Sequence, residues 1–119
     1  MTSMVIIGAG PGGYEAASVA AAGGVEVTVV EETGIGGAAV LTDCVPSKTL
    51  IATAEVTSTL RRAAELGLRH TETFEVDLDA VNFRVRQLAQ AQSDDISRGL
   101  ERKGVRLISG RARLATGAP

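Results

Sequence analysis

The sequence predicts an α/β fold in which a parallel sheet is flanked by helices, and three observations predict it. An apolar run, Met4-Val5-Ile6-Ile7, stops at Gly8 and passes through Gly10 and Gly13 into the alanine-rich segment Tyr14 to Ala22. A second apolar run, Val25 to Val30, follows the pair Gly23-Gly24 and ends in an acid, Glu31. A third, Val105 to Ile108, comes after a long stretch with helical periodicity. Strands that alternate with helical segments belong to parallel sheets.

Met1 to Ser3 is a short lead-in. Val5–Ile7 is apolar on both faces and is expected as the central buried strand. The first helix is predicted over about Pro11 to Ala22, with Gly23-Gly24 as its stop. Its small residues Ala16, Ala17, Ala20 and Ala21 allow close packing on the sheet. Val25–Val30 is the second strand, parallel to the first by the right-handed crossover rule.

From Glu31 to Lys48 there is little periodicity and much glycine: Gly34, Gly36 and Gly37. The next helix is predicted from Pro46–Ser47 to about Leu66, with Leu50, Ile51, Ala54 and Leu60 apolar and Gly67 closing it. Arg69 to Asp79 reads as a polar surface loop, and His70 within it as a solvated histidine. A long helix then spans about Leu78 or Asp79 to Lys103. Val81, Val85, Leu88, Ala89, Ile96 and Leu100 fall on one stripe, Asp77 or Asp79 caps the start, and Arg102-Lys103-Gly104 is the stop. Val105–Ile108 is the third strand, and residues 115–119 are turn-like.

Composition removes several functions. The 119 residues make one domain at most. A net charge of −2 leaves no footprint for nucleic acid or an anionic membrane, and 3% aromatics disfavours base-stacking platforms. One cysteine excludes an internal disulfide and a multi-cysteine metal site, and no metal site is expected. No basic region precedes the first apolar run, so no signal peptide is read. No apolar stretch approaches the ~20 residues of a membrane span. The cytoplasm is the expected compartment.

Gly8 to Gly13 spell GxGxxG between a strand and a helix. Glycines also cluster in ordinary turns, but here a strand precedes, a helix follows, and an acid stands about 20 residues on. That is the Rossmann-like pattern for a dinucleotide. Gly8 permits the sharp turn, Gly10 lets backbone approach a pyrophosphate, and Gly13 lets helix and strand pack closely. Pro11 suits the first helical turn, where its missing N–H was an orphan donor. Glu31 and Glu32 compete for the ribose hydroxyls, with Glu31 preferred as the first residue past the strand. Such an acid argues against a phosphate on that ribose.

The second informative stretch is Gly36-Gly37-Ala38-Ala39-Val40-Leu41-Thr42-Asp43-Cys44-Val45-Pro46-Ser47-Lys48. The glycine pair offers bare backbone to a ligand. Cys44 lies just ahead of a predicted helix start, a position that favours thiolate, and Lys48 adds a positive charge four residues on. A lone cysteine is otherwise a small buried hydrophobe.

Together Gly8–Gly13, Val25–Glu31, Gly36–Lys48 and Gly110–Leu114 resemble the FAD-binding start of the pyridine nucleotide–disulphide oxidoreductases, over nearly the whole chain. In that family Gly-Gly-Thr-Cys is followed four residues later by a second cysteine, then a proline-containing turn ending in lysine. Here Ala38 and Ala39 stand for the threonine and the substrate-facing cysteine, while Cys44 and Lys48 match the flavin-side cysteine and the lysine. Disulfide exchange needs two sulfurs, so the variant resembles the flavoprotein NAD(P)H–quinone reductase branch.

The resemblance implies FAD as cofactor and NAD(P)H as co-substrate, with electrons passing from nicotinamide through flavin to a quinone and no redox-active disulfide. Gly8, Ala9, Gly10, Pro11, Gly12 and Gly13 would hold the pyrophosphate and Glu31 or Glu32 the ribose. Gly36, Gly37 and Ala38 would lie along the cofactor. Cys44 and Lys48 would neighbour the flavin as the catalytic pair, and Ala112 would contact the adenine through its backbone. Arg111 and Arg113 are read as packing or surface residues. Residues 1–119 then form an incomplete N-terminal FAD-binding domain, expected to be inactive by itself. The NAD-binding and dimerisation domains are absent from it, and the full-length form is expected as a homodimer. The alternatives are a dihydrolipoamide dehydrogenase-like protein and a non-catalytic nucleotide-binding module.

Overall fold

The structure, a computed structural model, describes residues 2–69, 74–115 and 117. Its elements run β1 (Ser3–Ile7), α1 (Pro11–Ala22), β2 (Glu26–Glu31), α2 (Gly37–Leu41), α3 (Cys44–Arg61), a 3-10 turn (Ala63–Leu66), α4 (Leu78–Arg102) and β3 (Arg106–Ser109). The three strands form one parallel sheet in the order β1-β2-β3, with Ile6 opposite Val29 and Val29 opposite Leu107. The predicted α/β class, parallel sheet and flanking helices are all present.

The central strand is β2, a correction to the expectation for β1. Val27 and Val29 of β2 are fully buried, whereas Val5 and Ile7 of β1 are 66% and 54% exposed. Right-handed crossovers in one direction put α1 and α4 on the same face of the sheet. That face collects Ile6, Val27, Val29 and Leu107 against Ala17, Leu100 and Val105. Val5, Ile7 and Ile108 lie on the other face, which no described element covers.

Helix α1 has the predicted bounds, with Pro11 in its first turn and Gly23 at its C-cap. Strand β2 begins one residue late because the Val25 N–H closes the preceding turn onto the Ala20 carbonyl at 3.1 Å. It also includes Glu31, which pairs with Ser109, so this acid is the last strand residue rather than the first beyond it. Helix α3 starts at Cys44, ahead of the predicted Pro46–Ser47, with the Ser47 N–H donating to the Asp43 carbonyl at 2.9 Å. Pro46 fits inside the first turn because the amide it lacks would find no partner there. The helix ends at Arg61, and Leu66 belongs to the 3-10 turn that Gly67 closes at φ 75°. The five-residue α2 is too short to show periodicity and was not legible. His70 lies outside the described residues.

Helix α4 starts where predicted: Asp77 caps it, its carboxylate accepting from the Ala80 N–H at 2.9 Å. Helices α3 and α4 pack along each other and give the molecule its length, 74 × 27 × 17 Å. Thr49, Thr53 and Thr57 each donate a hydroxyl to the carbonyl four residues back. Their polar atoms are thus satisfied within α3.

Candidate functional site

The site forms where the carboxyl ends of β1 and β2 meet the start of α1, the usual crevice of an open α/β sheet. Gly8 leaves β1 at φ 97°, and its N–H donates to the Val30 carbonyl at 2.8 Å. A Cβ on Gly13 would overlap the Gly8 carbonyl oxygen, so only glycine lets α1 start this close to β1. Gly10 and Gly12 differ: a Cβ there meets nothing within 4 Å, and Gly10 has an ordinary φ of −69°. The fold leaves open space beside them. Helix α1 has no side-chain cap and no acid in its first turn, leaving its first N–H groups without intrahelical partners.

Glu31 is the electrostatic centre of this crevice. Its Oε2 accepts the Ala9 N–H at 2.7 Å. Its Oε1 accepts the Thr33 N–H at 2.7 Å, the Thr33 hydroxyl at 2.9 Å and, more weakly, the Gly34 N–H at 3.4 Å. Desolvation would raise the carboxyl pKa, but these hydrogen bonds from Ala9, Thr33 and Gly34 outweigh it and hold the value at about 2. Oε2 keeps acceptor capacity beyond its one donor. Glu32 makes none of these bonds and lies 3.9 Å from the Arg111 guanidinium, with both side chains exposed. The geometry therefore separates the two acids that the sequence left in competition.

The second glycine segment lies against the first. The Gly36 N–H donates to the Ala9 carbonyl at 2.8 Å, and a Cβ on Gly37 would come within 3.0 Å of the Gly10 Cα. Gly36 is buried at φ 100° and would drive a Cβ to 2.6 Å from that of Val40. Ala9, fully buried between Gly8 and Gly10, thus has its N–H held by Glu31 and its carbonyl held by Gly36. Thr33 and Gly34 are not legible in the sequence as donors to Glu31, because a loop without periodicity gives no sign of which amides converge.

The remaining residues stand further along the chain. Ala38 is exposed in the first turn of α2, where its carbonyl accepts the Asp43 N–H at 2.8 Å. Cys44 and Lys48 are exposed and one turn apart at the start of α3. Among the described residues no hydrogen bond or ion pair joins either of them to the Gly8–Gly13 turn. The Gly110 N–H donates to the Glu31 carbonyl at 2.8 Å, tying the loop that carries half-buried Ala112 to the end of β2. A cavity of ≈ 260 Å³ lies between residues 31–35 and Leu107, Ile108 and Ser109 of β3.

A parallel sheet, a glycine turn into a helix and an acid closing the second strand define a dinucleotide-binding class of fold. The chain belongs to the pyridine nucleotide-disulphide oxidoreductase family, whose family model matches residues 2–118. It is similar to an NAD(P)H dehydrogenase (quinone) of Mycobacterium tuberculosis, 48% identical over 123 aligned residues, covering 100% of this chain and 25% of that protein. A dihydrolipoyl dehydrogenase of Chlamydia muridarum is 36% identical over 110 residues, 92% of this chain and 23% of its own length. The crystal structure of LpdA from Mycobacterium tuberculosis matches with a TM-score of 0.92 at 48% identity, over 100% of this chain and 26% of that one. The fold is also that of the flavoprotein disulfide reductase RclA from Escherichia coli, with a TM-score of 0.73 at 21% identity. The chain spans about a quarter of the length of the relatives it matches. None of its described helices is long and apolar enough to cross a membrane.

Proposed function

We propose that this chain is the N-terminal FAD-binding segment of an NAD(P)H-dependent flavoprotein oxidoreductase that reduces a quinone. The observation that carries the reading is the convergence of Glu31 and Gly36–Gly37 on Ala9 and Gly10 of the glycine turn, with open space beside Gly10. The residues fit the group. Gly10 and Gly12 leave room for a ligand at the backbone, and the uncapped start of α1 suits a pyrophosphate. Oε2 of Glu31 has a lone pair left for a ribose hydroxyl.

FAD, when bound, would supply the acceptor for a hydride from the nicotinamide and the donor of that electron pair to a quinone. The chain's own contribution is binding and orientation. Gly8 to Gly13 would face the pyrophosphate, Gly36, Gly37 and Ala38 would lie along the cofactor, and Ala112 would offer its backbone to the adenine. Cys44 and Lys48, on one face of α3, would adjoin the flavin. Cys44 is the chain's one cysteine, and Ala39 stands where a disulfide relay would need a second sulfur, which favours direct reduction of a quinone over dihydrolipoamide chemistry. The greater identity to the quinone dehydrogenase, 48% against 36%, points the same way. The nicotinamide site and the surfaces of a homodimer would belong to further domains, so this chain alone would bind flavin without turning over. A cytoplasmic location fits this reading.

An absorption spectrum of the purified chain, taken after incubation with FAD and desalting, tests it. Retained flavin bands near ~450 nm support the assignment. Bleaching by NADH would contradict the placement of the nicotinamide site in another domain. A folded, colourless chain that binds a different nucleotide tightly would contradict the flavin reading.

A further inference from the structure

Ser93 interrupts the apolar stripe of α4 between Ala89 and Ile96, yet it is only 5% exposed. Its hydroxyl donates to the Ile35 carbonyl at 2.6 Å across 58 residues of sequence. Ile35 lies between two glycines at positive φ, Gly34 and Gly36, and among the described residues no backbone N–H outside the regular elements donates to its carbonyl. The amide of that same peptide unit, the Gly36 N–H, donates to the Ala9 carbonyl at 2.8 Å. One peptide plane is therefore held by Ser93 on its oxygen and by Ala9 on its nitrogen. Hydrogen bonds to the two ends of one peptide group reinforce each other.

We propose that Ser93 is a positioning residue for the cofactor site: through the Ile35–Gly36 peptide it sets how the Gly36–Gly37 backbone lies against Gly10. The proposal rests on the reading of this crevice as a flavin site and deepens it, because it ties the site to the long helix α4. An alanine would pack on the α4 stripe as well as serine does, so the buried hydroxyl brings the core nothing except this bond. Removing it leaves the Ile35 carbonyl without this partner, and the Ile35–Gly36 peptide loses one of its two holds.

The test uses the full chain with Ser93→Ala, Ser93→Thr and a control, Thr49→Val. Thr49 is also buried, at 8% exposure, but its hydroxyl donates to the Val45 carbonyl within its own helix. Hydrogen exchange of the Gly36 amide is measured in the ligand-free chain by NMR, and FAD affinity by quenching of flavin fluorescence. Loss of one buried hydrogen bond predicts that Ser93→Ala speeds Gly36 exchange about tenfold and weakens FAD about tenfold. Ser93→Thr restores both, and Thr49→Val moves neither. Exchange and affinity within about twofold of the parent in Ser93→Ala would overturn the proposal, as would equal changes in Thr49→Val. If the parent chain binds no FAD, the flavin reading fails, and Gly36 exchange alone then decides: faster exchange upholds the positioning role and unchanged exchange overturns it. If Ser93→Ala does not fold, Ser93→Cys, a weaker donor of similar size, is judged by the same criteria.

Discussion

The Glu31 carboxylate accepts the Ala9 backbone N–H at 2.7 Å, across 22 residues, and so locks the end of β2 to the middle of the first glycine turn. Because Ala9 also takes the Gly36 N–H, three stretches far apart in sequence share one buried residue.

This anchoring is pH-dependent. The folded carboxyl titrates at about 2, below its ordinary 4.5. The ionised group therefore adds stability in full above about 4.5, and the contribution fades as pH falls towards 2. Glu31→Gln places an amide N–H against a backbone donor in either orientation of its side chain. Thermal unfolding followed against pH should show the variant several degrees less stable near neutrality, with the gap closing through that window.

Gly13→Ala and Gly12→Ala should diverge. The first forces a Cβ into the Gly8 carbonyl oxygen and costs about 3 kcal/mol or more, while the second meets open space and is tolerated. Gly36→Ala, with positive φ and Val40 in the way, belongs with Gly13→Ala. Chemical denaturation of the three variants reads the order directly.

Cys44 is exposed and should react stoichiometrically with iodoacetamide without loss of fold. If it adjoins the flavin, saturating FAD slows the alkylation severalfold, measured by mass spectrometry over time. An unchanged rate would remove Cys44 from the cofactor's surroundings.

Asp77→Ala removes the α4 cap and should cost about 1 kcal/mol, with Asp77→Asn recovering most of it. The Ala80 amide, which Asp77 holds at 2.9 Å, is the site to watch by hydrogen exchange.

The glycine turn, α1 and the acid at the end of β2 were legible because each is written in adjacent residues: Gly8, Gly10 and Gly13 at fixed spacing, then a stop at Gly23. The edge position of β1 was not, since an apolar strand reads alike whether or not its second face is covered. The start of α3 at Cys44 was hidden by Pro46, which marks a first turn without fixing where in that turn it sits. The choice of Glu31 over Glu32 depended on the directions of side chains around the strand end. Ser93 left a faint trace, a polar residue on an apolar stripe, but its partner Ile35 lies in a loop that carries no pattern.

Titration of FAD into the parent chain and into Gly10→Ala tests the central claim most directly. A Cβ on Gly10 meets no protein atom within 4 Å, and its φ of −69° suits alanine, so the variant should fold and melt like the parent. The account predicts saturable flavin quenching by the parent and a loss of at least about tenfold in affinity for Gly10→Ala. Equal affinity in two equally folded chains would contradict it, because the space beside Gly10 would then not be where the cofactor lies.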